Sequence, residues 1–580
     1  KFPQLAVRDL TAGLYDGGLR GTAQLNADTR LFAADVSSDF DLQKISPLLT
    51  TNARRWLAQF TWEKAPKISA AARVTLPPWT NSPAWVNTDW GAEVLPTLSL
   101  AGDFAVGPIA FQSLPMSSAR SDFTYSNRTW RLPNLLVTRP DGRLVINHTT
   151  REDTGQFAFE IESTTDLRVI RPLLAPVAQR VLDDFTLTTP PIVQAEIAGR
   201  WSAPKETSVR AQFAVTNAGY RGRAVLSCRS LITLTNQILS MMSPEVVRSE
   251  GTGRAQSVVI DIPRMKLFIN NATGALDVAA VTHVISPGVE ELMAPYHFSG
   301  APHASAHGMV DLENGLRSDL RFTVAGGAGF EWRAFRFQQI TGDVHWAGTR
   351  LMLSNVFGSM HGGGVELSAA FDFTAGKGAD FAFRTLLHEI NFHSLMNDLL
   401  SPTNKLEGTL SGLLVITNAS TETPQSWSGF GNAELQDGLI WDVPVLGLFS
   451  PILNAFKPGA GNSRARRVAT EFVITNSVIF TSDLQIHASG MRLNYDGTLD
   501  FDGRVNGRME AELLRDMPGL GPLVSKVLWP VTKLFEYKVA GTLSKPKSQP
   551  VYIPKILMMP FHPLRTLKEL IEEGEEELGK

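Results

Sequence analysis

The segment that decides the fold is Asp41-Leu42-Gln43-Lys44-Ile45-Ser46-Pro47-Leu48-Leu49, followed by Ala53, Arg55, Leu57 and Phe60, because it recurs later in the chain. A shift of 125 residues places it, without a gap, on Asp166-Leu167, Ile170, Pro172-Leu173-Leu174, Ala178, Arg180, Leu182 and Phe185. The same register extends outward from Asp16-Gly17, which becomes Asp141-Gly142, to Ala70, which becomes Ala195. Such a register indicates a duplicated structural unit. A repeat without catalytic-looking residues is typical of an extended scaffold whose function is spread along its length.

A third, weaker copy follows at a shift of 111 residues. It aligns Asp166-Leu167 with Asp277-Val278 and Phe185 with Tyr296. A fourth, degraded trace lies near Leu386 to Leu410. Chance similarity among β-rich segments is the alternative explanation, and it applies most to the later copies.

Most of the chain alternates apolar and polar residues, which is the period of a β-strand. The alternating apolar residues are Phe157, Phe159, Ile161, Phe371, Phe373, Phe381, Phe383, Phe472, Ile474, Leu484 and Ile486. We therefore predict a mainly β protein with a long, curved, repetitive antiparallel sheet that is trough-like and has one apolar face. Alternation leaves one question open, because the core of a closed sandwich produces the same pattern.

A few amphipathic helices are expected between the strands. Apolar residues recur at helical spacing after Pro47, after Pro172 and after Pro522. We expect these stripes to pack on the sheet, with insertion into a membrane surface as the alternative. From Gln549 the sequence predicts a peripheral tail that carries a short helix at Leu564 to Ile571 and an acidic end.

Two turns are expected near the end of the strand region. Asp496-Gly497 has the composition of a turn between strands. Asp500-x-Asp502-Gly503 resembles the start of a calcium-binding loop but lacks the downstream bidentate Glu, so a β-turn is the better interpretation.

Composition narrows the possible functions. The 580 residues have a net charge of -3 and only 19% charged residues, so nothing indicates a nucleic-acid partner. Cys228 is the only cysteine, which excludes an intrachain disulfide. No apolar run reaches the roughly 18 residues that span a bilayer. Because the sequence opens inside β-like residues, we expect the chain to be a fragment that has lost any N-terminal membrane anchor.

The search for catalytic or metal-binding motifs yields no candidate, and we predict no enzyme, no metal site and no cofactor. His388 and His393 are five residues apart, whereas a zinc-protease helix places its two histidines four apart. His297, His303 and His307 cluster in the third copy, but His297 stands where the other copies have threonine.

The residues from Gly429 to Pro546 carry a more specific combination. They run Gly429-Phe-Gly431-Asn-Ala433-Glu-Leu435-Gln-Asp437-Gly438-Leu439-Ile-Trp441, then through the strands to Leu520-Gly521-Pro522 and Val539-Ala-Gly541-Thr542-Leu543-Ser-Lys-Pro546. In order and spacing this region resembles the C-terminal region of AsmA-like proteins, relatives of the TamB group. The resemblance covers about a fifth of the chain in its strongest part.

The repeat, the tail composition and the resemblance together predict five segments, namely 1–125, 126–250 and a divergent 251–395 as β repeat units, 396–548 as the AsmA-like region, and 549–580 as a tail with a short helix. The resemblance implies a periplasmic, inner-membrane-associated protein of a diderm bacterium, akin to bridge-like lipid-transfer proteins. Its partners would be phospholipid acyl chains, the inner membrane through a segment absent from this chain, and outer-membrane or envelope proteins. The alternating residues listed above then become candidates for lining a lipid groove.

Two functions of different classes remain open at this stage. The first is to carry or shield phospholipids between the two membranes in support of the outer membrane. The second is an assembly or binding factor for outer-membrane proteins that adds partner strands to exposed sheet edges.

Overall fold

A computed structural model gives the structure of the protein. It describes all residues except 1–2, 50, 80–87, 174–178, 180–181, 286–295, 333–334, 375–377, 400–402, 449, 452–453, 455–458, 460–461, 489–490, 514–532 and 553–580. The described chain is mainly β. Thirty-one strands form one antiparallel sheet, and two small sheets of three strands each accompany it. The predicted fold class, a long antiparallel sheet with few helices, is confirmed.

The chain divides into two compact units, residues 1–290 with 309–313, and residues 291–308 with 314–580. Strands of the first unit are β1 Gln4–Leu14, β2 Gly17–Asn26, β3 Leu31–Ser38, β4 Phe60–Trp62, β5 Lys67–Thr75, β6 Ser99–Val106, β7 Ile109–Phe111, β8 Leu114–Met116, β9 Ser118–Ser126, β10 Thr129–Arg139, β11 Gly142–Arg151, β12 Gln156–Ser163, β13 Phe185–Leu187, β14 Ile192–Arg200, β15 Ser208–Tyr220, β16 Arg223–Thr235, β17 Ile238–Val247, β18 Thr252–Arg254, β19 Ser257–Asp261 and β20 Lys266–Ala275.

Strands that lie wholly or mostly in the second unit are β21 Tyr296–Phe298, β22 His303–Asp311, β23 Asp319–Gly326, β24 Phe330–Trp332, β25 Phe335–Phe337, β26 Gln339–Ala347, β27 Arg350–Met360, β28 Gly363–Asp372, β29 Asp380–Asn391, β30 Glu407–Ser420, β31 Ser428–Leu439, β32 Ala465–Thr475, β33 Val478–Ala488, β34 Met491–Asp500, β35 Arg504–Leu513, β36 Lys533–Thr542 and β37 Lys545–Tyr552. The small sheets are β4–β7–β8 in the first unit and β21–β24–β25 in the second.

The helices are short and lie between strands. The α-helices are Thr51–Leu57, Val278–Ile285, Phe392–Leu399 and Pro444–Gly447, and the 3-10 helices are Leu42–Leu48, Leu95–Thr97, Leu167–Leu173, Pro204–Glu206, Gly315–Arg317 and Pro424–Ser426, with a π-helical turn at Trp90–Val94. In the described part of the chain, no helix is long and apolar enough to cross a membrane.

The first predicted helix starts elsewhere than expected. Pro47 lies inside the 3-10 helix Leu42–Leu48, and the α-helix is the separate segment Thr51–Leu57. Proline lacks the N–H that a continuing α-helix requires, so the chain breaks before the helix starts. Most of the helix expected after Pro172, the one after Pro522 and the one in the tail lie outside the described residues. The tail itself begins within β37, which continues to Tyr552.

One predicted turn is correct and the other is wrong. A turn at Phe501 and Asp502 joins β34 to β35, and Gly503 beside it has the left-handed φ of 82°. Asp496-Gly497 lies inside β34 instead, in register with Arg508 and Gly507 of β35. Pairing on both sides with β33 and β35 holds these two residues extended despite their turn-like composition.

Strand bounds reproduce the sequence repeat. β1, β2, β3, β4 and β5, shifted by 125 residues, give the bounds of β10, β11, β12, β13 and β14 without any difference. A further shift of 111 carries β13 and β14 onto β21 and β22, again without a difference. The duplicated unit is therefore structural, because backbone conformation as well as residue identity recurs.

At β12 the two faces of the sheet differ in polarity. Paired residues of neighbouring strands point to the same side, and along each strand the sides alternate. In β12, Phe157, Phe159 and Ile161 are half-buried, whereas Ala158 and Glu160 between them are exposed. The most completely buried core lies at the last strands, where Ile486, Leu493, Met509, Phe535 and Val539 are at most 1% exposed.

Candidate functional site

In the first unit a single row of side chains crosses nine strands in strict pairing register. We call it the first apolar row. Its members are Leu132, His148, Phe159, Ile197, Val209, Leu234, Leu239, Ile260 and Leu267. At a strand spacing of about 4.8 Å, the row has a contour length of roughly 38 Å. All but one of its residues are hydrocarbon.

In the second unit a comparable row crosses eleven strands. This second apolar row consists of Phe322, Val344, Leu353, Ala369, Phe383, Ile416, Gly429, Ile474, Ile479, Leu499 and Val505. Its contour length is roughly 48 Å by the same spacing. Here every position is apolar.

Part of each row is less buried than a closed core, although Ile416 and Ile474 of the second row are at most 4% exposed. A sandwich interior would bury such residues almost completely, because a second layer would cover them. Phe159, Ile197, Leu234 and Ile260 are only half-buried, and Phe322 and Phe383 in the second unit are also half-buried. Within the described part of the chain, each row is therefore only partly covered and stays partly accessible.

An aromatic cluster adjoins the first apolar row and includes its members His148 and Phe159. The ring of His148 stacks on Phe159 at a centroid distance of 4.1 Å, and Trp201 lies 4.2 Å from Phe157. Phe157 is paired with Gly199, and a Cβ on that glycine would come within 2.9 Å of the Phe157 ring. Gly199 thus leaves the space that the ring occupies. Trp201 is 59% exposed, so this cluster ends at the solvent.

A second aromatic cluster lies in the other unit. The ring of Phe381 stacks on Phe371 at a centroid distance of 5.8 Å and on Phe383 at 6.3 Å. Trp427 meets Phe381 edge-on at 5.2 Å and Phe501 at 5.6 Å. Phe373 stacks on Phe371 at 6.4 Å and is 41% exposed. The structure thus brings together four of the sequence candidates in one place.

The remaining candidates are more enclosed. Ile474 is 4% exposed in a cluster that includes Ile416, with Phe472 packed against it. Ile486 is 1% exposed, and Leu484 packs against the same terminal core. Ile474 and Ile486 point to the apolar side, but neighbouring groups cover them. Phe157, Phe159 and Ile161 lie in one unit and the other candidates in the second.

Trp201, Trp427 and Phe501 are the residues that sequence reasoning missed. Each lies in a turn or loop beside a strand end. Trp201 and Trp427 take no part in the alternation that identified the other candidates, whereas Phe501 continues the alternation of Leu499 but was not among those candidates. The available signal was weak: Pro204 and Pro424 each begin a short 3-10 helix next to a tryptophan.

One margin of each apolar face is covered. In the first unit Trp62, Ile109 and Met116 of the small sheet pack on Val106 and Ala119 at the ends of β6 and β9. In the second unit Leu395 and Met396 of the helix Phe392–Leu399, with Phe335 and Phe337 of β25, pack around Met360 and Ile390. These margins lie where the helical connections join the strands.

A cavity of about 830 Å³ lies at β23 and β26 to β30, the strands that carry six members of the second apolar row. It is lined by three consecutive residues from each of six strands, whose middle members are Phe322, Val344, Leu353, Ala369, Phe383 and Ile416. His307 of β22 also lines it. The cavity thus runs across the strands rather than along one of them, and the residues on either side of each middle member belong to the opposite face.

Electrostatics at the first apolar row favour a neutral surface. Burial lowers the pKa of His148, and its contact with the carbonyl of Ala158, 3.1 Å from Nδ1, only partly offsets this effect. Beside the row, the hydroxyl of buried Tyr125 donates to Glu152 at 2.9 Å. Burial and this hydrogen bond raise the pKa of Tyr125 to about 12. Both groups are therefore uncharged near neutral pH.

The histidines considered in the sequence are dispersed. His388 lies on β29 and His393 in the following helix, where its Nδ1 is 2.9 Å from the carbonyl of Leu406. His297 lies on β21, whereas His303 and His307 lie on β22. Within the described ranges, no three His, Cys, Asp or Glu residues are grouped as metal ligands would be.

Neither the family models, nor the curated proteins, nor the solved structures include a match to this chain. Any inference about function therefore depends on the fold and on the two apolar rows.

Proposed function

We propose that this protein carries or shields phospholipids between the inner and outer membranes of a diderm bacterium, and that acyl chains lie on its apolar rows. The observation that carries the proposal is the register of the second apolar row, eleven apolar positions in succession with Phe322 and Phe383 only half-buried. Its periplasmic place and inner-membrane association rest on the resemblance of Gly429 to Pro546 to AsmA-like proteins.

The energetics favour an apolar row over a single pocket. Exposing an acyl chain to water costs about 0.8 kcal/mol per CH₂, or roughly 13 kcal/mol for a chain of about 16 carbons. A row without charged members offers similar contacts at each strand, so a chain can move between neighbouring positions without being fully exposed. Such a path requires no catalytic residue.

The polar face has the composition of a surface in water. Glu160, Glu196 and Arg210 are in register across β12, β14 and β15, and all three are exposed. A lipid on this side would meet charges instead of hydrocarbon. In the first unit this contrast between the two faces supports binding of tails to one side.

The direct test is to extract the purified protein with organic solvent and analyse the extract by mass spectrometry. We expect co-purified phospholipid in amounts that scale with the protein. A lipid-free protein that captures unfolded outer-membrane barrel proteins would contradict the proposal and favour an assembly factor.

A further inference from the structure

Strand ends form two opposite margins of the sheet, and these margins differ within each unit. In the first unit six successive antiparallel pairings separate β3 from β12, so these strands run in the same direction. The 3-10 helices that follow them, Leu42–Leu48 and Leu167–Leu173, therefore lie at the same row of strand ends, which we call the connector edge. In the second unit the helix Phe392–Leu399 follows β29 and marks the connector edge there.

The opposite edge carries the tryptophan turns. Trp201 follows the end of β14, where Arg200 pairs with Gln156 at the start of β12. Trp427 comes just before β31 and follows the end of β30. We call this the Trp edge of each unit.

The apolar face is covered at the connector edge and accessible at the Trp edge. The small sheet in the first unit and the helix Phe392–Leu399 in the second pack on the apolar face at the connector edge. At the Trp edge, Trp201 is 59%, Phe373 is 41% and Phe501 is 49% exposed. These three side chains also contact the aromatic clusters, so the apolar surface continues from the face to the edge.

The chemistry of the Trp edge suits the boundary between lipid tails and head groups. Indole rings prefer the membrane–water interface because they combine a large apolar area with one N–H donor. Trp201 lies over Phe157 while its indole N–H donates to the hydroxyl of Thr150 at 3.3 Å. Arg200 and Lys205, both exposed, flank this turn and offer positive charge to a phosphate.

We infer that phospholipid acyl chains enter and leave the apolar rows over the Trp edge, with the head group kept in water beside Trp201 in the first unit and Trp427 in the second. The inference rests on the proposed function and adds the orientation of the lipid. The covered connector edge excludes the reverse orientation, because a head group there would be pressed against Trp62 or Leu395.

Two matched pairs of positions test the inference by photo-crosslinking. Trp201 at the Trp edge and Trp56 at the connector edge have nearly equal exposure, 59% and 60%. Phe373 and Leu399 form the same comparison in the second unit, at 41% and 43%. Each residue is replaced singly by p-benzoylphenylalanine in the full chain, with Phe159 as the position on the row. The variants are irradiated with phosphatidylethanolamine–phosphatidylglycerol vesicles that contain an alkyne-tailed phosphatidylcholine.

We expect roughly tenfold more lipid adduct at Trp201 than at Trp56, and at Phe373 than at Leu399, the occupancy ratio that two additional buried CH₂ groups would give. Equal adducts within both pairs, together with a strong adduct at Phe159, would overturn the edge assignment and leave the proposed function standing. No adduct at Phe159 or at any edge position would overturn both. Because all four edge residues are exposed and two independent pairs are used, the test survives the failure of one variant to fold.

Discussion

Asp9 and Asn134, 125 residues apart, occupy the same β-bulge in two copies of the repeat. Both have left-handed backbones, with φ of 58° and 54°. The register of β1 with β2 shifts between Val7 and Leu10, and that of β10 with β11 shifts between Leu132 and Leu135. Asp and Asn are the non-glycine residues that most readily adopt this conformation, so the bulge explains why short polar side chains interrupt both strands.

The bulge predicts the effect of substitutions at Asn134. We expect Asn134→Val to lower the free energy of unfolding by roughly 1–2 kcal/mol, because a β-branched residue is strained at positive φ. Asn134→Gly should be close to neutral, since glycine adopts this φ freely. Urea denaturation of the full chain measures both. The same ranking at Asp9 is the control, and opposite rankings at the two sites would contradict their equivalence.

A charge on the apolar face beside the first apolar row should block lipid contact without unfolding the protein. Ile161 is half-buried on the apolar side, so an Asp there can reach water while it repels acyl chains. We predict that Ile161→Asp lowers lipid co-purification severalfold with a loss of stability of about 1–3 kcal/mol. Phe159 is left unchanged because an Asp at that position could pair with His148.

The matched control for Ile161→Asp is Ala158→Asp, an exposed position on the polar face of the same strand. Its lipid content should equal that of the native protein. Complete unfolding of Ile161→Asp would show that this face is an ordinary closed core. Normal lipid content in a folded Ile161→Asp protein would remove this part of the apolar face from the proposed role.

Acidification should weaken the first unit through His148. Burial lowers the folded-state pKa of this residue below its usual value of about 6.5. The unfolded chain then binds more protons as the pH falls, so the stabilisation is present above about pH 6.5 and is lost progressively on acidification towards the lowered pKa. His148→Phe should therefore lose less stability than the native protein between about pH 7.5 and pH 5. Urea midpoints of the two proteins across this range check it, and parallel pH profiles would count against the prediction.

Gly431 should tolerate no side chain. A Cβ there would lie 2.4 Å from the carbonyl oxygen of Leu413 and 2.6 Å from the ring of Phe472. We expect Gly431→Ala to destabilise the protein by roughly 1–3 kcal/mol through overpacking. Gly107→Ala is the control, because a Cβ at Gly107 meets no atom within 4 Å. Equal urea midpoints for the two variants would refute the close approach of Phe472 to Gly431.

Much of the local structure could be predicted because it depends on short-range patterns. The period of two in Phe157, Phe159 and Ile161 sufficed to place these residues on one side of a strand. Asp496-Gly497 shows the limit of such reasoning. Its turn-like composition is overridden because β34 pairs with β33 on one side and β35 on the other, which holds these residues extended.

The sequence by itself determined the strand periodicity, the 125-residue repeat and the apolar character of one face, because each depends on residue type and spacing. Only the tertiary structure decided which apolar residues are enclosed. Ile486 and Phe159 alternate alike in sequence, yet Ile486 is 1% exposed within the terminal core and Phe159 is half-buried. It also decided that Trp427 joins Phe381 and that the helix Phe392–Leu399 covers the opposite margin. Those outcomes depend on which strands pair and in which register, and contacts between residues far apart in the chain set them.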